Sequence, residues 1–394
     1  MGVNDQERLS CEPGPLAGPE ADMREVCALV LVGGRREELF AGTPLALFDV
    51  LGRSVLMRTV DRLRPAGVRR VAVVSESEPL PPRPPGGAFT VAPAKRFWEE
   101  AWEQFRRLSR QAESVFVIRL GAWAEVDYAA MVKQHARVGT AMLQAYARNG
   151  EALDVFVVSS GGRSEAAALL RGELRDERIE APKHRSNRYV NRLATPADLR
   201  LLALDALAGE AALAPVGTEL RPGVWVGKGA RIHREARVVA PAFIGASCRV
   251  HREAVVTRGS TLEHHSEVDC GSVIENSTLL PYSRIGAGLD VEYSVAGLQH
   301  LHSLKLAATV EVDDPRFIGS TIARLPARAR NVLGGFLNLA PDAIWELLFG
   351  TSAEPQAELK LNAPSAINDP ALAPVESQAE PYGEMATTRR YGSD

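Results

Sequence analysis

Long apolar runs are missing from this chain, and with them any candidate membrane-spanning helix. The polar segment Met1 to Ser10 lacks the apolar core of a signal peptide. An excess of either charge is missing too. Lys and Arg number 46 against 49 Asp and Glu, a formal net charge of −3, with both signs scattered along the chain. That balance argues against a nucleic-acid or polyanion surface. Cysteine is scarce: Cys11, Cys27, Cys248 and Cys270 show no CxxC or paired spacing. Reduced, structural cysteines in a cytoplasmic protein are therefore expected. Apolar periodicity is lacking at both ends, up to about Asp22 and from about Ser352 to Asp394, where Pro, Gly, Glu, Ala and Ser dominate. Such segments cannot bury enough surface to offset their ordering entropy, and disorder is expected there.

What is present is a repeat. Counting by six from Leu220 gives Val226, Ile232, Val238, Ile244, Val250, Val256, Leu262, Val268, Ile274 and Leu280, all aliphatic. Two residues earlier, from Ile232 onward, runs a column of small residues: Ala230, Ala236, Ala242, Cys248, Ala254, Ser260, Ser266, Ser272 and Thr278. A helix repeats near 3.6 residues and a simple strand near two, so neither accounts for this period. A triangular coil does, with about six residues to a side and about eighteen to a turn. The aliphatic side chain points into the prism and the small one fits the corner. Stacking buries the aliphatic column against itself, a gross gain of about 15–30 kcal/mol for the whole column. A left-handed parallel β-helix of hexapeptide repeats is the expectation. Its register falters near Ile285-Gly286 and fades by about Val312, and Ile318 to Leu348 reads as one or two short amphipathic helices that cover the open end or a partner subunit.

One coil recurs almost verbatim: Ile232-His233-Arg234-Glu235-Ala236 returns as Val250-His251-Arg252-Glu253-Ala254. The same column continues to Asp269, and stacked polar residues on a solvated edge account for the ladder His233, His251 and Asp269, so no metal is expected. The adjacent His264 and His265 raise the alternative of an acyl-transfer base.

Upstream, from Glu25 to about Gly209, strand and helix patterns alternate. Val26 to Val32, Arg70 to Val74, Val115 to Leu120, Thr140 to Ala147 and Asp154 to Ser159 read as strands. Val55 to Leu63, Ala94 to Arg110, Tyr128 to Val138 and a stretch near Ser164 to Leu170 read as helices, and Thr195-Pro196 opens another, with Thr195 as N-cap. An α/β domain with a mainly parallel sheet follows. Ligands of such sheets sit at the carboxyl ends of the strands, which singles out Gly33-Gly34 and Arg119 to Ala122. The expected organisation is a disordered 1–24, an α/β domain over 25–209, a β-helix over 210–312, short helices over 313–350 and a disordered 351–394.

An α/β domain followed by a hexapeptide β-helix resembles the sugar-phosphate nucleotidylyltransferases (NDP-sugar pyrophosphorylases), and among them the mannose-1-phosphate guanylyltransferases. Ala28-Leu29-Val30-Leu31-Val32-Gly33-Gly34 resembles the family's first strand and the start of its glycine-rich loop. Pro44 to Leu56 resembles its proline-lysine-proline segment. Val115 to Ala122 resembles the strand ending in glycine-aspartate, Asp127 to Gly139 the following helix, and Asn191 to Leu199 the aspartate-x-glycine-threonine-proline element. The resemblance implies a reaction joining a sugar 1-phosphate to a nucleoside triphosphate with release of pyrophosphate, assisted by Mg2+.

The departures fall on the chemistry. Gly34 is followed by Arg35-Arg36-Glu37-Glu38 in place of the family's glycine cradle. Leu45 stands where the resemblance puts a phosphate-facing lysine, and Ala122 and Arg192 stand where it puts metal carboxylates. Gly33, Gly34, Arg35 and Arg36 remain the candidate nucleotide-binding residues, and no catalytic residue is assigned. Glu125, Asp127 and Asp154 are nearby acids, with Asp127 read as a helix N-cap and Asp154 as part of a turn. Lys95, Arg96, Arg106 and Arg107 read as the solvated face of their helix. The expectation is a non-catalytic, nucleotidyltransferase-like pseudoenzyme, a regulatory or scaffold subunit in sugar-nucleotide or polysaccharide metabolism. It needs no cofactor, with Mg2+ expected only if activity is retained. Its expected ligand is a nucleotide or NDP-sugar, and its expected assembly a homo- or hetero-oligomer through the β-helix, with no nucleic acid and no membrane. A diverged active nucleotidylyltransferase and a hexapeptide acyltransferase are the alternatives.

Overall fold

The structure is a computed structural model and describes residues 26–33, 39–76, 88–170 and 182–321. The chain divides into two compact units between Leu213 and Ala214.

In the first unit the main-sheet strands are β1 (Val26–Val32), β2 (Val68–Ser75), β3 (Ala88–Val91), β4 (Ser114–Arg119), β5 (Met142–Tyr146), β6 (Ala152–Ser159) and β7 (Lys183–Arg185). They form one sheet in the order β7-β5-β6-β4-β1-β2-β3. Every neighbouring pair is parallel except the two made by β6, which runs against β4 and β5. Strand β1 is buried along its whole length, as an apolar run covered on both faces must be. On one face Leu29, Leu31, Val74, Val115 and Val117 pack with Phe97, Ala101, Phe105 and Leu108, which recur on one side of α2 (Phe97–Leu108). Lys95, Arg96, Arg106 and Arg107 are exposed, as expected of a solvated face.

Helix ends follow local chemistry. Ser54 caps α1 (Val55–Leu63) by accepting from Met57 N at 3.3 Å. Asp127 caps α3 (Tyr128–Val138) by accepting from Ala130 N at 2.9 Å, and Gly139 ends it at φ +67°, a left-handed conformation that suits glycine. After α4 (Arg163–Leu170), the last helix of the unit is α5 (Pro196–Leu207). Thr195 and Asp198 form a reciprocal capping box around its Pro196 start.

The second unit is a parallel β-helix. Val226 pairs with Ile244 and Ile244 with Leu262 on one side; Ile232, Val250 and Val268 stack on the second; Val238, Val256 and Ile274 stack on the third. From Ala236 to Ser277 the small residues fill the corners: Ala242, Cys248, Ala254, Ser260, Ser272 and Ser277 are all fully buried. Three of the serine hydroxyls are satisfied there by the following coil. Ser260 Oγ donates to Ile274 O at 3.0 Å, Ser272 Oγ to Gly286 O at 2.6 Å and Ser277 Oγ to Val291 O at 3.1 Å.

The column of six is corrected at both ends. Leu220 lies on an outer antiparallel strand and is 69% exposed, so it is no part of the interior. Beyond Ile274 the coil shortens by one residue. Leu262 pairs with Leu279 rather than Leu280, Val268 with Ile285, and Ile274 with Val291. The cause is a single corner. Arg258 and Gly259, both left-handed at φ +53° and +71°, turn one coil, whereas Asn276 alone, at φ +44°, turns the next. The small corner residue is accordingly Ser277, not Thr278, and Ile285 belongs to the interior rather than marking a lapse. Leu280 is buried but lies outside the inward column.

Antiparallel strands end the β-helix. Ser294–Gly297 pairs with His300–Ser303, which pairs with Ala308–Glu311, and Ile318–Ser320 returns to pair with Ser283–Ile285. Ile318 to Ser320 is thus strand where a helix was expected, because its backbone completes an exposed sheet edge. The rest of the expected C-terminal helices and both expected disordered ends lie outside the described residues.

Candidate functional site

Strand order reverses between β1 and β4, with β2 and β3 running one way and β6, β5 and β7 the other. Ligands of such sheets bind at that reversal, beyond the carboxyl ends of the strands. Gly33 sits there at φ +131°, and a Cβ on it would meet Glu76 Cγ at 2.9 Å. Glycine therefore lets the end of β1 pass close to Glu76. Gly34, Arg35 and Arg36 lie outside the described residues.

The end of β4 supplies the other wall. Leu120 N donates to Leu31 O at 2.8 Å and Gly121 N to Arg119 O at 3.0 Å, which curls the chain into a bend at Gly121-Ala122. Trp123–Ala124 then pairs antiparallel with Val190–Asn191, matching Trp123 with Asn191. One residue beyond this two-pair ladder on either strand stand Ala122 and Arg192. Both are positions singled out above as expected carboxylates, seventy residues apart in sequence. One carries a methyl and the other a guanidinium.

The nearby acids are occupied by partners. Arg119 Nη1 meets Asp154 Oδ2 at 3.1 Å, with the Arg119 side chain only 4% exposed. Asp154 lies within β6, not in a turn, and its reach to Arg119 depends on β6 running antiparallel to β4. Arg192 Nη2 meets Glu151 Oε2 at 2.5 Å. Glu125 is buried, and its Oε1 accepts from Ala212 N at 2.5 Å and Trp123 Nε1 at 3.4 Å, so it ties two segments together. Asp127 is the N-cap already described. Leu45 is 1% exposed, packed in a short 3-10 turn, and does not face a ligand.

Mg2+ demands near-octahedral oxygen ligation. At the ribbon Ala122 offers no side-chain oxygen and Arg192 offers a cation, so the residues present do not fit that ion. Arginines facing this edge suit an anion better than a metal.

The β-helix histidines separate into two groups. His264 is fully buried, His264 and Tyr282 meet edge-on, and the His265 ring stacks on Tyr282 with centroids 4.9 Å apart. Burial, reinforced by His264, pushes the His265 pKa down to about 4, so its ring is neutral at pH 7. A general base presented to solvent is not what this packing provides. Along the edge ladder, the structure brings His251 and Asp269 together and adds Cys270, which the sequence reading did not include. His233 stays apart, its Nδ1 accepting from Glu235 N at 3.2 Å. The buried Arg119–Asp154 pair was also missed, because nothing in an apolar run such as Ser114–Arg119 says which distant acid meets its last residue.

No protein-family model matches the chain, and no curated protein matches it in sequence.

Proposed function

We propose that this chain is a nucleotidyltransferase-like protein of the sugar-phosphate nucleotidylyltransferase type that has lost catalysis. It acts as a regulatory or scaffold subunit in sugar-nucleotide or polysaccharide metabolism. One observation carries the reading: Ala122 and Arg192, the two positions at which the resemblance requires metal carboxylates, each adjoin the short ribbon that pairs Trp123 with Asn191. Their placement beside one ribbon supports the correspondence drawn from sequence, and their chemistry argues against nucleotidyl transfer. Charge on a transferring phosphate and on the leaving pyrophosphate needs a metal clamp or its equivalent. The pairs Arg119–Asp154 and Arg192–Glu151 each balance their own charge at this edge. Such an edge can hold the phosphates of a nucleotide or NDP-sugar without activating them.

The site is read as a sensor, and the β-helix as the surface of a homo- or hetero-oligomer. Calorimetric titration with nucleoside triphosphates, sugar 1-phosphates and NDP-sugars, each with and without Mg2+, tests the sensor. The expected result is selective binding of one class with the same affinity in both conditions. At a hundredfold excess over Kd such a ligand stabilises the domain by about 2.7 kcal/mol. Binding that requires Mg2+ would return the protein to the enzymes, and no binding of any class would leave the α/β domain as a scaffold alone. Light scattering at micromolar concentration tests the assembly, and a strict monomer contradicts it.

A further inference from the structure

Independently of the α/β domain, we propose that His251, Asp269 and Cys270 bind a borderline-soft divalent cation of the Zn2+ type that clips two coils of the β-helix together. His251 follows the strand Arg249–Val250, and Asp269 and Cys270 follow its neighbour one coil on, Glu267–Val268. The ladder bond from His251 N to Val268 O, 3.0 Å, fixes that stacking. One ligand atom from each of the three side chains lies within 4.8 Å of the others. Tetrahedral ligands on bonds of about 2.0–2.3 Å stand about 3–4 Å apart, so small side-chain rotations close the set. Among the described residues this is the only such grouping of three.

The surrounding bonds prepare these donors. His251 Nε2 lies 2.7 Å from Oε1 of Glu267, whose side chain is 4% exposed. A carboxylate only accepts, so Nε2 donates here, and in the neutral ring Nδ1 then keeps its lone pair. Nδ1 has no hydrogen-bond partner among the described residues. Carboxylate–histidine–metal relays are built this way, with the carboxylate fixing tautomer and ring orientation. Asp269 is also held: Oδ1 accepts from Cys270 N at 2.9 Å and Oδ2 from Arg284 Nη2 at 3.0 Å, and each oxygen retains a lone pair. Arg284 offsets part of the negative charge that a carboxylate and a thiolate would otherwise bring to one place.

Donor chemistry selects the ion. A thiolate, an imidazole and a carboxylate suit Zn2+ or Co2+, whereas Mg2+ and Ca2+ favour oxygen alone. Three protein donors leave a fourth position to water or to an exogenous ligand. Cys270 is exposed, so the ion has a path in, whereas Cys27 and Cys248 are buried.

The test uses the full chain, reduced and stripped with chelator, titrated with Co2+ by absorption and with Zn2+ by calorimetry. One ion per chain is expected, with thiolate-to-cobalt charge-transfer absorption. Cys270→Ser should abolish that absorption, and Cys270→Ser and His251→Gln should each weaken Zn2+ binding by more than tenfold (about 1.4 kcal/mol). Glu267→Gln, which replaces the orienting carboxylate with an amide, should weaken it about 10- to 100-fold. His233→Gln, one coil earlier on the same ladder, should leave it unchanged. Absence of one-to-one binding by the wild-type chain, or equal binding by Cys270→Ser, overturns the proposal.

Discussion

At three corners of the β-helix a buried serine hydroxyl donates to a carbonyl supplied by the next coil. Ser260, Ser272 and Ser277 repeat one bond with one kind of partner. At the carboxyl edge of the α/β sheet the buried polar groups are charges. Arg119 is met by Asp154, and Glu125 by Trp123 and Ala212, each pairing occurring once and spanning its own distance in sequence. The first pattern satisfies polar groups by periodicity, so any one member adds little. The second satisfies them by singular long-range contacts, so one deletion removes a bond that no repeat replaces.

Four perturbations sharpen that contrast, from the largest effect to the smallest. Glu125→Ala strips the acceptor from the buried Trp123 indole N–H and from Ala212 N in a part-buried bond, and should cost about 3 kcal/mol in denaturant unfolding; a loss below about 1 kcal/mol would mean the contact is not singular. The β-helix departs from its own pattern at His265, whose protonation is opposed in the folded state alone. With a pKa of about 4 folded and 6.5 as the ordinary value, the unfolded chain binds more protons between these limits. Stability is therefore full above pH 6.5 and falls as pH drops toward 4, by at most about 3 kcal/mol. His265→Gln should flatten that slope, and an unchanged slope would assign it to other groups. Ser272→Ala removes one corner hydroxyl and should cost about 1 kcal/mol. Arg192→Ala breaks an exposed pair with Glu151 and should change stability by less than about 1 kcal/mol.

The same contrast explains what could be read in advance. A period of six names its interior residues without knowledge of the partner, and Val226 to Ile274 occupy it. The period failed where two residues satisfied it equally. In Leu279-Leu280 either leucine keeps an aliphatic at the right place, and only the pairing of Leu262 with Leu279 shows that a corner lost a residue. In the α/β domain the apolar runs named strands but not directions, so the antiparallel β6 was not foreseen. The short edge strands Ala88–Val91 and Lys183–Arg185 are too brief to show a period. The local signals of Asp127 and of Thr195-Pro196 were legible because capping is settled within one turn. The pairing of Trp123 with Asn191, and the approach of Cys270 to His251, were not, because each depends on register between distant segments.

The central claim is that Ala122 and Arg192, in place of the expected carboxylates, leave this fold without the means to transfer a nucleotidyl group. Its most direct test is pyrophosphate release from a panel of nucleoside triphosphates and sugar 1-phosphates in the presence of Mg2+. The account predicts release no faster than in a protein-free control for every pair. Magnesium-dependent, saturable release with any one pair would contradict it and would require carboxylates other than those expected at residues 122 and 192.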